Sequence, residues 1–179
     1  MPVRIQEQDF DVSSELAALR AGDRRVGAVA SFVGVVRELN DASQVSTLTL
    51  EHYPGMTEKA LAQIVNDAKE RWDLYDALVI HRVGALQPSD QIVLVAVISA
   101  HRGESFAACQ FIMDYLKTRA PFWKKEQTPE GERWVEARAS DDDAAARWKR
   151  RPGAKPAHGA PIRLRFAFTP SHPPWMMSA

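Results

Sequence analysis

Cysteine is almost missing from this chain. Cys109 is the only one in 179 residues, which excludes an internal disulfide framework and a cysteine-built zinc site, and fits a reducing compartment. Net charge is missing too. Lysine plus arginine number 23 and aspartate plus glutamate 23, so no chain-wide field draws nucleic acid or anionic lipid, and any anion chemistry must come from local clustering. No hydrophobic run is long. The longest, Ile92 to Ala100, is broken only by Ser99 and falls far short of the ~20 residues that span a bilayer. The first residues, MPVRIQEQDF, lack the apolar core of a signal peptide. The expectation is a cytoplasmic protein with no membrane segment. The phosphate-loop pattern GxxxxGK, the dinucleotide pattern GxGxxG, GxSxG and HExxH are all absent. The five histidines are scattered. Neither a metal nor a cofactor is expected.

The composition, 45% hydrophobic and 26% charged, is that of a globular domain. Residues 1–150 read as that domain and residues 151–179 as a proline-rich tail, because six of the eleven prolines fall in 152–179. Within the tail, Ile162, Leu164, Phe166 and Phe168 alternate as one added strand would. Glu15–Gly22 predicts a short helix stopped by Gly22. Arg25–Arg37 is apolar on both alternations, the pattern of a strand covered on both faces by helices or by a second subunit. Val45–His52, Ala77–Val83 and Gln91–Ala100 read as further strands, and Met56–Trp72 as an amphipathic helix. Ser105–Lys117 predicts a second such helix, ended before Pro121. Phe122–Gln127 and Arg133–Arg138 flank a turn at 128–131 and suit a hairpin. Asp141–Asp143 followed by basic Arg147–Arg151 suits a last helix with acids first and bases last. The order of elements predicts an α+β fold with a largely antiparallel or mixed sheet.

Two segments stand out chemically. Ala100-His101-Arg102-Gly103 joins an apolar strand to a helix, and a helix start offers unpaired N–H groups and a positive dipole end to an anion. Arg102 adds a planar fork of donors and His101 a group that exchanges protons near neutrality. The alternative is that both side chains satisfy local carbonyls and carboxylates. Residues 117–125 hold Lys117, Arg119, Lys124 and Lys125 and no acid. With Pro121 turning the chain, Lys117 at a helix end and Lys124 at a strand start could converge, and partial burial among other cations would make their ammonium protons exchangeable. The competing readings are a solvated basic hairpin or, with Phe122 and Trp123, a grip on single-stranded nucleic acid. Arg37 at a strand end is a third candidate. Glu126 reads as a general acid or as a salt-bridge partner of the lysine beside it. His81-Arg82 precedes no helix and reads as structural.

LTLEHYPGMTEKAL (48–61), ISAHRGESFAACQFIMDYLKTRAPFWKKE (98–126) and TPEGERWVEAR (128–138) resemble the large, catalytic subunit of molybdopterin synthase, in register from about residue 3 to about residue 150. The resemblance implies an α/β hammerhead-type domain with an added antiparallel β-subdomain. It implies a sulfurtransferase of molybdenum cofactor biosynthesis that converts cyclic pyranopterin monophosphate to molybdopterin. The two sulfurs come from the thiocarboxylated Gly-Gly C-terminus of a small ubiquitin-like carrier subunit. The implied assembly is a homodimer of this chain within a heterotetramer, with neither nucleic acid nor membrane as partner.

Carried over by position, the resemblance makes Lys117 and Lys124 catalytic. Val35, Val36, Arg37, His101, Arg102, Lys125, Glu126 and Arg138 join them in binding substrate, with His101 and Arg102 supplied across the dimer interface. Intact Lys117 and Lys124 speak against an inactive scaffold. The chain departs from its relatives at Val35, where a lysine is common, and in residues 151–179, which have no counterpart.

Overall fold

Strand Gln91–Ser99 is apolar on both alternations, and the fold uses both. The computed structural model describes residues 2–40, 43–135 and 139–149. In chain order the elements are β1 (Val3–Gln6), α1 (Val12–Arg20), β2 (Ala28–Val35), β3 (Leu39–Asn40), β4 (Ser43–Gln44), β5 (Thr47–His52), α2 (Met56–Arg71), β6 (Leu74–Arg82), β7 (Gly84–Leu86), β8 (Gln91–Ser99), α3 (Arg102–Arg119), β9 (Phe122–Thr128), β10 (Gly131–Val135) and α4 (Ala139–Ala146). The first sheet runs β1-β6-β8-β2, with β1 parallel to β6 and the other pairs antiparallel. The second, β10-β9-β5-β7, is antiparallel throughout. This is the mixed α+β architecture expected from the order of elements.

Val93, Val95 and Val97 of β8 face the main core, built with Leu61, Ile64 and Val65 of α2 and Phe111, Ile112 and Leu116 of α3. Leu94 and Ala96 face the other way and join Leu78, Ile80 and Phe10 beneath Leu16 and Leu19 of α1. Both faces of β8 are therefore dry. A smaller core of Val36, Leu48, Leu50 and Leu86 belongs to the second sheet.

β2 is the edge strand, and within one chain Val29, Phe32 and Val35 stay 38%, 43% and 48% exposed, so of the two covers its apolar run allows, helices or a second subunit, the helices of its own chain do not suffice. α1 packs on β6 and β8, leaving Val29 open on that face, while Phe32, paired with Val95, lies on the opposite, α3-bearing face of the same edge. The strand is also shorter than its apolar run. At its start, Gly27 donates its N–H to Ser99 O at 3.0 Å, and a Cβ there would lie 2.3 Å from Ala100 O, so only glycine permits the approach. At its end the register shifts between Gly34 and Val35, an irregularity that re-aims the following residues.

α3 begins at Arg102, three residues before the expected start, with His101 as its N-cap. Ser99 Oγ donates to His101 O at 2.7 Å and lies 2.7 Å from Ser105 Oγ. These two buried hydroxyls clamp the end of β8 to the first turn of α3. The expected helix over Met56–Trp72 and the hairpin around 128–131 are both present. Arg138 and residues 151–179, including the strand expected at 162–168, lie outside the described residues. Among the described residues no helix is long and apolar enough to cross a membrane.

Candidate active site

The four cations of residues 117–125 do not act as one patch. The guanidinium of Arg119 lies 3.8 Å above the Tyr115 ring and 3.6 Å from Asp67. Lys125 forms an ion pair with Glu132 at 3.1 Å and lies 5.7 Å from the centre of the Trp134 ring. Lys117, in the last turn of α3, is exposed, and among the described residues no side chain pairs with it. The partial burial expected for it is not supplied by a single chain.

Lys124 sits on the other side of its strand from Lys125, because successive strand residues point to opposite faces. Its face also carries Phe122, cross-paired with His52, and Leu50, cross-paired with Lys124 itself. Phe122 packs against the main core and stacks on His81 of β6, with ring centres 3.8 Å apart and planes 15° from parallel. Lys124 therefore projects on the side of the second sheet that is turned toward the body carrying α3. Burial pushes the His81 imidazole down to about 4, and the nearby charges of Lys124 and His52 push in the same direction. His81 Nδ1 lies 2.8 Å from Arg82 O, so Nδ1 carries the proton of the neutral ring. Arg82 donates to the carbonyls of Glu7 and Gln91. The pair is built into the fold, as its sequence context suggested. With Phe122 enclosed in this stack, only Trp123 of the two aromatic residues is left open for a base to stack on.

The connection between Lys117 and Lys124 is held at its bend. Thr57 Oγ1, buried at the start of α2, lies 3.2 Å from Pro121 O, and Phe122 N–H donates to Ala120 O at 2.9 Å. Pro121 ends α3 as expected from its effect on the preceding residue.

Arg37 and Glu126 belong to a network that sequence spacing did not reveal. Arg133 donates Nε and Nη2 to Glu126 Oε2 at 3.0 and 2.9 Å, and Nη2 also to Asn40 O at 3.0 Å. Asn40 Nδ2 donates to Glu126 Oε1 at 2.7 Å, and Arg37 Nη2 donates to Asn40 Oδ1 at 2.8 Å. Glu126 is only 5% exposed and Asn40 8%. Glu126 is indeed an ion-pair partner, but of Arg133 across the hairpin rather than of adjacent Lys125. The cross-strand pairing of Arg133 with Glu126 is the one signal in the expected hairpin that could have exposed it. Val36 is buried in the small core, whereas Val35 and Arg37 are exposed.

His101 and Arg102 are exposed, and among the described residues neither side chain has a hydrogen-bond or ion-pair partner. Among the described residues, then, the reading in which they satisfy local groups has no partner to name. They stand at the opposite end of α3 from Lys117, which at 1.5 Å per residue is about 22 Å away along the axis. One chain thus holds two half-sites: His101 and Arg102 at the start of α3, and Lys117 at its end beside the β9 segment that carries Lys124. A groove of about 500 Å³, lined among others by Glu38, Gln44, Gln87 and Gln127, contains none of these cations. The candidate site is open surface in the isolated chain.

Comparison with known proteins puts this geometry in a family. The family model for the MoaE protein matches residues 5–119. The molybdopterin synthase catalytic subunit of Ralstonia nicotianae is 70% identical over 146 residues, covering 82% of this chain and 83% of the relative. Among solved structures, the molybdopterin biosynthesis MoaE protein of Burkholderia ambifaria is 58% identical with a TM-score of 0.72, covering 82% of this chain and 97% of that one. Molybdopterin synthase from Staphylococcus aureus is 33% identical with a TM-score of 0.70, covering 76% and 98%. The chain belongs to the MoaE family of molybdopterin synthase catalytic subunits.

Proposed function

We propose that this chain converts cyclic pyranopterin monophosphate to molybdopterin in the cytoplasm, taking two sulfurs from the thiocarboxylated C-terminus of a small ubiquitin-like carrier subunit. The relatives' designation as a catalytic subunit implies at least one further subunit in their enzyme, and the carrier fills that place here. In each transfer the thiocarboxylate sulfur bonds to a pterin carbon as an oxygen leaves that carbon, and water hydrolyses the resulting thioester, leaving the sulfur on the pterin and a carboxylate on the carrier, so a dithiolene consumes two loaded carriers. No metal or cofactor is needed for these steps. Positive charge near the reacting atoms holds the anionic tail and stabilises charge as it develops, and an ammonium donates protons to the departing oxygen. Lys117 and Lys124 take these roles. Arg37, His101 and Arg102 grip the phosphate and pterin, with Val35 and Arg138 lining the same site; Val36, buried with its N–H and C=O bonded to Asp90 O and Ser89 N–H, supports that segment from beneath.

The observation that carries this reading is the length of α3. A site needing both ends of an 18-residue helix cannot close within one chain, so a second copy supplies His101 and Arg102 to Lys117 and Lys124. The exposed edge strand β2, with Val29, Phe32 and Val35, and Phe106 in the first turns of α3 supply apolar surface for that copy next to the residues it must deliver. The assembly is then a homodimer with one carrier on each chain, a heterotetramer. The direct test mixes the purified chain with thiocarboxylated carrier and pterin precursor and assays dithiolene. Absence of product with a carrier shown to be loaded contradicts the reading.

A further inference from the structure

Arg37 is held by an uncharged group although a carboxylate lies one residue further along the same network. Its Nη2 meets Asn40 Oδ1, and Asn40 Nδ2 in turn meets Glu126 Oε1. The orientation of the carboxamide is dictated by its neighbours, since a carboxylate only accepts and a guanidinium only donates. Among the uncharged side chains of this size, asparagine offers a donor at one end and an acceptor at the other. Arg133 fixes Glu126 from behind through two bonds to Oε2 and ties the Asn40 backbone carbonyl as well. Two guanidinium groups therefore flank a single carboxylate, and only Arg133 is neutralised by it. Arg37 is oriented without an acidic partner among the described residues, where its only hydrogen bond is the one to Asn40, and its other N–H groups are the ones that would meet a ligand. Had Glu126 reached Arg37 directly, the ion pair would have cancelled the charge an anion needs.

We propose that Asn40 and Glu126 are positioning residues that hold Arg37 toward the phosphate of the substrate without neutralising it, an inference that rests on Arg37 being an anion contact. Glu126, buried and with both oxygens engaged, touches Arg133 and Asn40 rather than the pterin. Its part in the reaction is transmitted through Asn40.

The test measures KM and kcat for the pterin with the full chain assembled with its loaded carrier, in Arg37→Ala, Asn40→Ala, Asn40→Asp and the Arg37→Ala/Asn40→Ala double variant, with thermal melts of each. Arg37→Ala should raise KM about tenfold or more, and Asn40→Ala about five- to tenfold with kcat within about threefold. The double variant should be no worse than Arg37→Ala, since a residue acting only through Arg37 has nothing left to act on. Asn40→Asp has the same shape but sets a second carboxylate against Glu126 and neutralises Arg37. It should raise KM at least as much as Asn40→Ala, and it keeps the question answerable if Asn40→Ala does not fold. Multiplying effects in the double variant overturn the proposal, as does an unchanged KM in folded Asn40→Ala or Asn40→Asp while Arg37→Ala is impaired, which leaves the anion role of Arg37 standing. An unchanged KM in Arg37→Ala overturns both.

Discussion

Lys124 and Lys125 are adjacent in the chain but serve opposite faces of one sheet. Lys125 pairs with Glu132 at 3.1 Å beside Trp134, while Lys124 shares its face with Phe122, whose ring stacks on His81. A stretch that reads as one basic cluster is divided by the pleat into a cation paired within its own sheet and a candidate catalytic one on the other face.

Replacing each lysine in turn separates the two roles. Lys124→Ala and Lys117→Ala should each lower kcat by about a hundredfold or more, the usual cost of losing a group that handles protons. Lys125→Ala should cost less than about tenfold, the scale of an exposed pair worth up to about 1 kcal/mol. Steady-state dithiolene formation measures all three, and gel filtration checks that the carrier still binds. Equal losses at 124 and 125 would contradict the division by face.

Mixing inactive variants tests the shared site. A dimer of one Lys117→Ala chain and one Arg102→Ala chain contains one site with both residues intact, if Arg102 crosses the interface. Random reassociation of equal amounts should then restore about a quarter of the wild-type rate, since half of the dimers are mixed and each has one working site. Two inactive parents that stay inactive after verified subunit exchange would place both residues in the same chain's site.

Stability should fall in mild acid because of His81. Burial, with the charges of Lys124 and His52, pushes its imidazole down to about 4, from 6.5 when unfolded. The unfolded chain therefore takes up a proton in this range that the folded chain refuses, so stability is fully present above pH 6.5 and is lost as pH falls toward 4. The loss from this one group is about 3 kcal/mol. Urea melts between pH 7 and pH 4 should show this component in the wild type and its disappearance in His81→Phe. A His81→Phe variant with the same pH slope would contradict the assignment.

Gly27→Ala should destabilise the fold. The added methyl would lie 2.3 Å from Ala100 O, a backbone atom that cannot step aside, so β2 or the end of β8 must shift at a cost of about 1–3 kcal/mol. A lower melting temperature is the expected outcome. A melting temperature equal to that of the wild type would show that the strand end yields freely.

Much of this was legible along the chain because it is local. The periodicity of α2, the stop at Pro121, the doubly apolar β8 and the turn at 128–131 each depend on residues within a few positions of one another. The alternation within β9 already implied that Lys124 and Lys125 diverge. The Arg37–Asn40–Glu126–Arg133 network was legible only at its ends, in the hairpin pairing of Arg133 with Glu126; the bonds that bring Asn40 to Glu126 and Arg133 span 86 and 93 positions, and no local pattern links them. The early start of α3 was missed for a related reason: its first turn is fastened by Ser99 and Ser105, whose hydroxyls meet only after β8 is in place.

The sequence by itself determined which side chains could do the chemistry and on which elements they lie, since periodicity, capping and proline are short-range constraints. Only the tertiary structure decided which face Lys124 shares and which acid pairs with which base. Those are matters of distance and direction between segments far apart in the chain. They become definite only when hydrophobic burial packs the helices and sheets against one another.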